Sequence, residues 1–405
     1  MRPFPAGSTM LRRRDGGGAA VFEVGGRAVD HGGRGCLVPR DAGGEFMSGF
    51  DRIGLVVPLI QAPMAGVSTP AMAAAVSEAG GLGSIGVGAV DASVAREMIA
   101  GIRERTARAF SVNLFVHPAP SRDPPREDAW RGWLAALVAG VGRSAPAALR
   151  APYKSFPDDP EMLDMLRAVR PPVVSFHFGI PSAEIVAALR ETGAVLLATV
   201  TSLDEARAAE DAGMDAVVAQ GIEAGGHRGV FDPAAPDDAL GVLALTRLLV
   251  RQGRCPVIAA GGIMDGAGIV AALDLGAVAA QLGTAFILCP ESAADTAYRA
   301  ALSGPGAFHT RLTSLISGRP ARALANRFTA LADGENVPVP PDYPVAYDAG
   351  KALHAAAKAC GEHGFGAQWA GQGAPMVRAM PAARLVACLR EELAAARGVA
   401  LPDRR

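Results

Sequence analysis

From Gly54 onward, short apolar runs alternate with longer stretches in which apolar residues return every three or four positions. The first pattern is that of a buried strand, the second that of a helix with one face on a core. Strands are expected at Leu55–Ala62, Leu82–Gly86, Phe110–Phe115, Val173–Phe176, Ala194–Val200, Ala216–Ala219, Val257–Ala260 and Val278–Leu282. Between them, helices are expected at Pro70–Ala79, Asp91–Arg105, Glu161–Val169, Ser182–Thr192, Leu203–Ala212, Ala239–Arg251 and Gly266–Leu275. In Asp91–Arg105 the inward stripe is read as Val94, Met98 and Ile102. Such alternation implies a parallel sheet with right-handed crossovers. Eight strands favour a closed (β/α)8 barrel (a TIM barrel) over an open doubly wound sheet, and no GxGxxG follows the first strand.

The pattern breaks in three places. Residues 1–46 hold Arg12-Arg13-Arg14 and several glycine pairs among few apolar residues, so a disordered extension is expected, with Met47 as a plausible start. It has no apolar core of a signal peptide. The stretch Val116–Pro160 is rich in Pro and Trp and longer than an ordinary βα loop, which suggests a lid or rim. After Cys289, helices are expected at Glu291–Leu302, Thr310–Ser317 and Ala346–Cys360, then a closing amphipathic helix at Ala382–Arg397. The organisation expected is an extension over 1–46, a barrel over 47–290, a small helical cap over 291–375 and a closing segment over 376–405.

Composition narrows the function. Lys and Arg number 39 against 40 Asp and Glu, which gives no support to a nucleic-acid binder. Five scattered cysteines without a CxxC pair fit a reducing cytoplasm better than disulfides or zinc. No His/Asp/Glu spacing suggests a metal, no apolar stretch is long and unbroken enough to span a membrane, and GxSxG is absent.

Candidate chemistry gathers where strands end. The Met64 turn, Asn113, His177, Gln220, Gly261-Gly262 and Gln281 to Thr284 all follow or close a strand, and in a barrel those ends share one face. Glycine turns after the last two strands are where such barrels hold a phosphate on backbone N–H groups. In the segment DAVVAQGIEAGGHRGVF (215–231), Gly225-Gly226 permits close approach of backbone to a ligand, and His227 can exchange a proton near neutral pH. Each residue also has a plain structural reading: a tight turn for the glycines, a satisfied core polar group for Asn113 or His177. His117 and the remaining histidines carry no such signal.

The segments QAPMAGVSTPAMAAAVSEAGGLGSIG, FSVNLF, VVSFHFGIP, ATVTSLDEARAAEDAGMDAVVAQGIEAGGHRGVF, GRPARALANRF and WAGQ resemble class I nitronate monooxygenases, from about Val56 to Val386. The resemblance implies an FMN-dependent barrel that oxidises alkyl nitronates with O2 to a carbonyl compound and nitrite. It places FMN contacts on Met64, Ala65, Gly66, Asn113, Gln220, Gly225, Gly262, Gln281, Leu282, Gly283 and Thr284, and the catalytic histidine on His227. It places the substrate pocket on Tyr153, His177, Tyr298, Tyr343, Tyr347 and Lys351, a set that includes all four tyrosines of the chain. Spacings of four put Tyr343, Tyr347 and Lys351 on one face of a helix or turn. A nitronate is a carbanion equivalent that can pass an electron to oxidised FMN without a metal. A nearby histidine would remove the α-proton of a neutral nitroalkane or hold the anion. The alternatives are an FMN-dependent NAD(P)H:quinone or enoyl-thioester reductase, or a phosphate-sugar isomerase or lyase without flavin.

Overall fold

The computed structural model describes residues 49–139 and 148–398. The extension expected over residues 1–46, and the start at Met47, lie outside the described residues.

Strand and helix alternate through the first two thirds of the chain. The series runs β1 (Leu59–Gln61), α1 (Pro70–Glu78), β2 (Gly83–Gly86), α2 (Ala92–Arg103), β3 (Phe110–Phe115), α3 (Pro124–Ala139) and α4 (Pro160–Val169). It continues with β4 (Val173–His177), α5 (Ala183–Glu191), β5 (Val195–Val200), α6 (Leu203–Asp211), β6 (Ala216–Gln220) and a two-residue strand β7 (Gly226–His227). Then come α7 (Val242–Gln252), β8 (Val257–Ala260), α8 (Gly266–Asp274) and β9 (Ala279–Leu282). Side chains of Thr69, Asp91, Ser202 and Asp265 accept backbone N–H groups at the starts of α1, α2, α6 and α8. Each such cap stabilises its helix by about 1 kcal/mol.

Eight parallel strands form one sheet in the order β1-β9-β8-β6-β5-β4-β3-β2. The ends of that order meet. Ile60 bridges Leu82, Gln61 N–H donates to Leu82 O at 2.9 Å, and Leu82 N–H donates to Leu59 O at 2.9 Å. The sheet is therefore a closed barrel, as the eight apolar runs imply. Its strands are apolar nearly throughout because helices cover one face and the barrel interior the other.

Two cores follow from that geometry. An outer one lies between strands and helices, with Val112, Leu114, Phe176, Leu196, Leu245 and Leu249 among its members. The lower barrel interior holds Ile60, Val173, Val195, Leu197 and Ile258, closed by Phe50 and Ile53 from a 3-10 turn over Gly49–Ile53. This plug left no trace in the hydrophobic pattern, because two apolar residues in a short turn carry no period.

Three expectations need correction. The first strand is only Leu59–Gln61, since Val56 is 63% exposed and lies outside the barrel. The inward stripe of α2 is Ala95, Ile99 and Ile102, with Val94 exposed and Met98 packed partly against it. The helix expected over Thr310–Ser317 is instead strand β10 (Thr310–Thr313) and a turn. Its two threonines are β-branched and favour a strand, and four residues are too few to show a period.

The remaining chain forms α9 (Thr296–Ser303), β10, β11 (Ala321–Leu324), α10 (Arg327–Ala330), α11 (Val345–Lys358) and α12 (Ala382–Ala396). Antiparallel β10 and β11 recruit β7 as a third strand, with Ala321 opposite His227. Helix α3 from the Pro- and Trp-rich stretch packs with α11, where Trp130, Leu134 and Val138 meet Val345, Leu353 and Phe365. That stretch and the cap thus share one core at the barrel mouth. Helix α12 returns to the barrel wall, with Leu385, Val386 and Leu389 packed among residues of α1 and α8. Among the described residues no helix is long and apolar enough to cross a membrane.

Candidate active site

At the C-terminal ends of the strands lies a cavity of about 410 Å³, lined by all but one of the eighteen residues singled out from sequence. The exception is Leu282. It is 1% exposed and packs in the outer core with residues of α1 and α12. Side chains along a strand alternate faces, so with Gln281 facing the cavity Leu282 must point the other way.

Three backbone turns shape one side. Ser68 Oγ accepts from Met64 N–H at 3.0 Å, and Val67 and Ser68 N–H both donate to Met64 O, which folds Pro63–Ser68 into a tight turn. Gly66 has φ +77°, and an added Cβ there would meet nothing within 4 Å. At the turns after β8 and β9, the N–H groups of Gly262 and Gly283 have no partner among the described residues, and both residues line the cavity. Gly225 also lines the cavity, and its missing side chain makes room within the chain. A Cβ on it would fall 2.4 Å from Gly371 N, so its bareness admits another part of this chain. Gly371 N–H in turn donates to Thr284 Oγ1 at 3.0 Å.

Polar side chains at the rim are mostly committed. Asn113 donates through Nδ2 to Ser175 Oγ and O, at 2.9 and 3.2 Å, leaving Oδ1 as its free polar atom. Gln220 Oε1 accepts from Gly229 N–H at 2.7 Å while its Nε2 donates to His227 O at 3.0 Å, clipping the loop that carries His227. His177 Nε2–H donates to the same carbonyl at 3.2 Å. Buried Arg228 forks onto Asp237 at 2.8 and 3.0 Å and also donates to Gln220 O. The loop around His227 is therefore held from several directions.

His227 sits among aromatic rings: Trp369 at 5.0 Å, Tyr343 at 5.4 Å, Phe178 at 5.6 Å and Tyr347 at 5.9 Å between centroids. Its Nε2 meets Ser317 Oγ at 2.9 Å. Burial pushes its pKa down to about 3, with positive charge on His177 and Arg319 acting the same way. Burial likewise lowers His177 to about 4. Both imidazoles are neutral at physiological pH. Arg319 is 1% exposed, makes no ion pair among the described residues, donates to Val230 O at 2.7 Å and lies 4.3 Å over the Phe178 ring.

The tyrosines form the outer wall. Tyr153 lies 6.4 Å from Tyr343 and 6.0 Å from Tyr347, and Lys351 Nζ lies 4.6 and 5.1 Å over the rings of Tyr153 and Tyr347. That is the cation–π geometry, on a residue still open to solvent. Burial raises the pKa of all four phenols, so none ionises near neutral pH. Tyr298 donates to Trp369 O, whereas the Tyr343 hydroxyl is buried without a partner among the described residues. Sequence reasoning missed Phe178, Ser317, Arg319 and His117, whose ring lies 5.0 Å from Tyr343. Ser317 and Arg319 share one local signal, the turn Ser317-Gly318-Arg319-Pro320, whereas Phe178 and His117 carry none.

The chain is similar to known proteins over most of its length. The family model described as nitronate monooxygenase matches residues 46–392. The nitronate monooxygenase of Paraburkholderia phytofirmans is 58% identical over 341 residues, which cover 84% of this chain and 93% of that one. The Pseudomonas aeruginosa enzyme of the same name is 55% identical, covering 84% and 97%. Among solved structures, nitroalkane oxidase from Streptomyces ansochromogenes is 41% identical with a TM-score of 0.79, covering 87% of this chain and 99% of that one. The chain belongs to the nitronate monooxygenase family and is an oxidoreductase.

Proposed function

We propose that this enzyme oxidises alkyl nitronates with O2, using non-covalent FMN, to a carbonyl compound and nitrite. One observation carries the reading: a single cavity has open backbone N–H groups on one side and, on the other, neutral His227 among tyrosines and a lysine. The site fits a flavin phosphate in its chemistry, because the free N–H groups of Gly262 and Gly283 are what a buried anion requires. Thr284 and the Met64-Ala65-Gly66 turn complete that side, Asn113 Oδ1 and Gln281 offer polar atoms, and Gly225 keeps the WAGQ segment in place. Leu282 contributes backbone alone, its carbonyl accepting from Ala62 N–H. FMN supplies the electron acceptor that a nitronate needs.

The rest is done by this chain's side chains. Tyr153, Tyr298, Tyr343, Tyr347 and Trp369 wall the cavity and exclude water, and Lys351 favours an anion at its mouth. His227 takes up a proton at the reacting end, and His177 fixes the carbonyl behind it. The test is direct. The purified protein should be yellow, should bleach when a nitronate is added without oxygen, and should release nitrite when air returns. A colourless protein that takes up no added FMN would exclude the reading. Rapid anaerobic bleaching by NADH, without nitrite from nitronates, would replace it with a reductase.

A further inference from the structure

Ser317 has one hydroxyl hydrogen and two neighbours that could receive it. Its Oγ lies 3.1 Å from Arg319 O and 2.9 Å from His227 Nε2, and it also accepts a long contact from Arg319 N–H at 3.4 Å. Ser317 and Arg319 are 0% and 1% exposed, so water does not reach this turn. Among the described residues no other donor reaches Arg319 O. If Ser317 turned its hydrogen to His227, that buried carbonyl would have no partner, which folded chains avoid. With the hydrogen on Arg319 O, every group is satisfied: Ser317 Oγ then accepts from His227 Nε2–H.

The turn is rigid. Gly318 has φ +88°, and a Cβ there would fall 2.3 Å from Pro341 O. Arg228 N–H donates to Pro320 O at 2.8 Å, and β7 pairs with β11 through His227 and Ala321. Phe178, Tyr343, Tyr347 and Trp369 surround the imidazole, so it has little room to turn over. The titratable or charged groups facing it are His177, Tyr343, Tyr347 and Arg319, and none is a carboxylate.

We infer that Ser317 is a positioning residue that locks the proton of His227 on Nε2 and leaves Nδ1 bare toward the cavity. The consequence rests on the reading of His227 as the proton-exchanging group. A bare Nδ1 repels an anionic nitronate oxygen, so a nitronate binds there with uptake of one proton from solvent. With a neutral nitroalkane the same atom takes the α-proton: the C–H bond breaks, its electron pair passes into the nitro group, and the proton stays on Nδ1.

Two measurements on the FMN-loaded enzyme test this. In the first, histidine ring nitrogens are labelled with 15N and long-range correlation spectra are recorded, with the His227 pattern identified by its loss in His227→Asn. The parent should show the Nε2–H form, Ser317→Ala a shift toward Nδ1–H, and Ser317→Thr the parent form again. An Nδ1–H parent, or a pattern unmoved by Ser317→Ala, would overturn the inference. In the second, kcat/KM for a nitronate is followed from pH 7.5 to 10. It should fall by up to about tenfold per pH unit in the parent, as expected for one proton taken up. In Ser317→Ala, where neutral Nδ1–H can face the anion, the profile should flatten at unchanged FMN content. Equal slopes in the two would remove the coupling. The ring spectrum stands apart from catalysis, so a failure of His227 as the reacting group shows only in turnover, whereas a failure of Ser317 shows in the spectrum.

Discussion

Gly225 and Gly371 stand 146 positions apart in sequence, yet a Cβ added to Gly225 would fall 2.4 Å from Gly371 N. The contact joins the loop after β6 to the WAGQ segment, and Gln372 N–H donating to Glu223 O at 2.9 Å secures it. Gly225→Ala must push this segment away from Thr284. Overpacking of this kind costs about 1–3 kcal/mol, and here it also moves the wall of the cavity. The expected result is a lower melting temperature together with loss of bound flavin. At Gly226 the space is open and only the positive φ of +79° resists a side chain. Gly226→Ala should therefore cost about 1–2 kcal/mol with flavin retained.

Acid should destabilise the fold through its two buried imidazoles. In the folded chain His227 and His177 hold pKa values of about 3 and 4, below the ordinary 6.5. Their contribution is fully present above pH 6.5 and is lost as pH falls toward those values, because the unfolded chain binds the extra protons. Each histidine adds at most about 1.4 kcal/mol per pH unit within that window. Urea unfolding between pH 7 and 4.5 should show stability dropping, and His177→Gln should make the drop shallower. An unchanged slope in His177→Gln would show that His177 does not contribute.

The barrel floor offers a prediction that leaves the chemistry alone. Phe50 is 6% exposed and packs with Val173, Val195 and Leu197 at the end of the barrel away from the cavity. Phe50→Ala should destabilise by about 3–5 kcal/mol, read from denaturant midpoints, while kcat at low temperature stays near the parent value. A midpoint that does not move would mean that the floor is closed some other way.

Lys351 is the cation at the tyrosine wall, its charge 4.6 Å over Tyr153. Burial lowers its pKa, with the nearby Asp348 opposing, yet the residue is open to solvent and its field is screened. Lys351→Met should raise KM for an anionic nitronate roughly fivefold, the scale of ~1 kcal/mol for an exposed charge. Added salt should shrink the difference. A KM that stays put at low salt would take Lys351 out of substrate binding.

These predictions draw on residues that were legible in the sequence to very different degrees. The barrel could be read because eight apolar runs and their capped helices each repeat a local signal. The rim could be read because strand ends in such a barrel share a face, which turns spacing into geometry. The Pro- and Trp-rich stretch and the cap did not disclose their shared core, since Trp130 and Val345 meet only through the fold. Strand β10 was mistaken for helix because four residues are too few for a period. Ser317 touches His227 from 90 positions away, and Leu282 was carried along with Gln281 although alternation turns it outward. Gly225 lines the cavity, and its bareness also admits Gly371, a contact that no local pattern reveals.

His227 is where the fold's constraints converge, since its carbonyl is held by Gln220 and His177, its Nε2 by Ser317 and its ring by four aromatics. Replacing it with Asn keeps a small polar side chain and the backbone contacts, but removes the atom proposed to take up a proton. With a preformed nitronate, His227→Asn should lose the charge-assisted hydrogen bond to the anion, about 1.5–3 kcal/mol. That corresponds to a fall of about 10- to 150-fold in kcat/KM. A neutral nitroalkane should suffer more, because its α-proton loses the acceptor proposed for it, and general-base loss alone is worth about 10²–10⁴. Flavin content must be measured on the same samples, since Gly225 and Gly226 adjoin the substitution. If the variant holds its flavin and turns over both substrates at the parent rate, His227 has no part in the chemistry and the proton must go elsewhere.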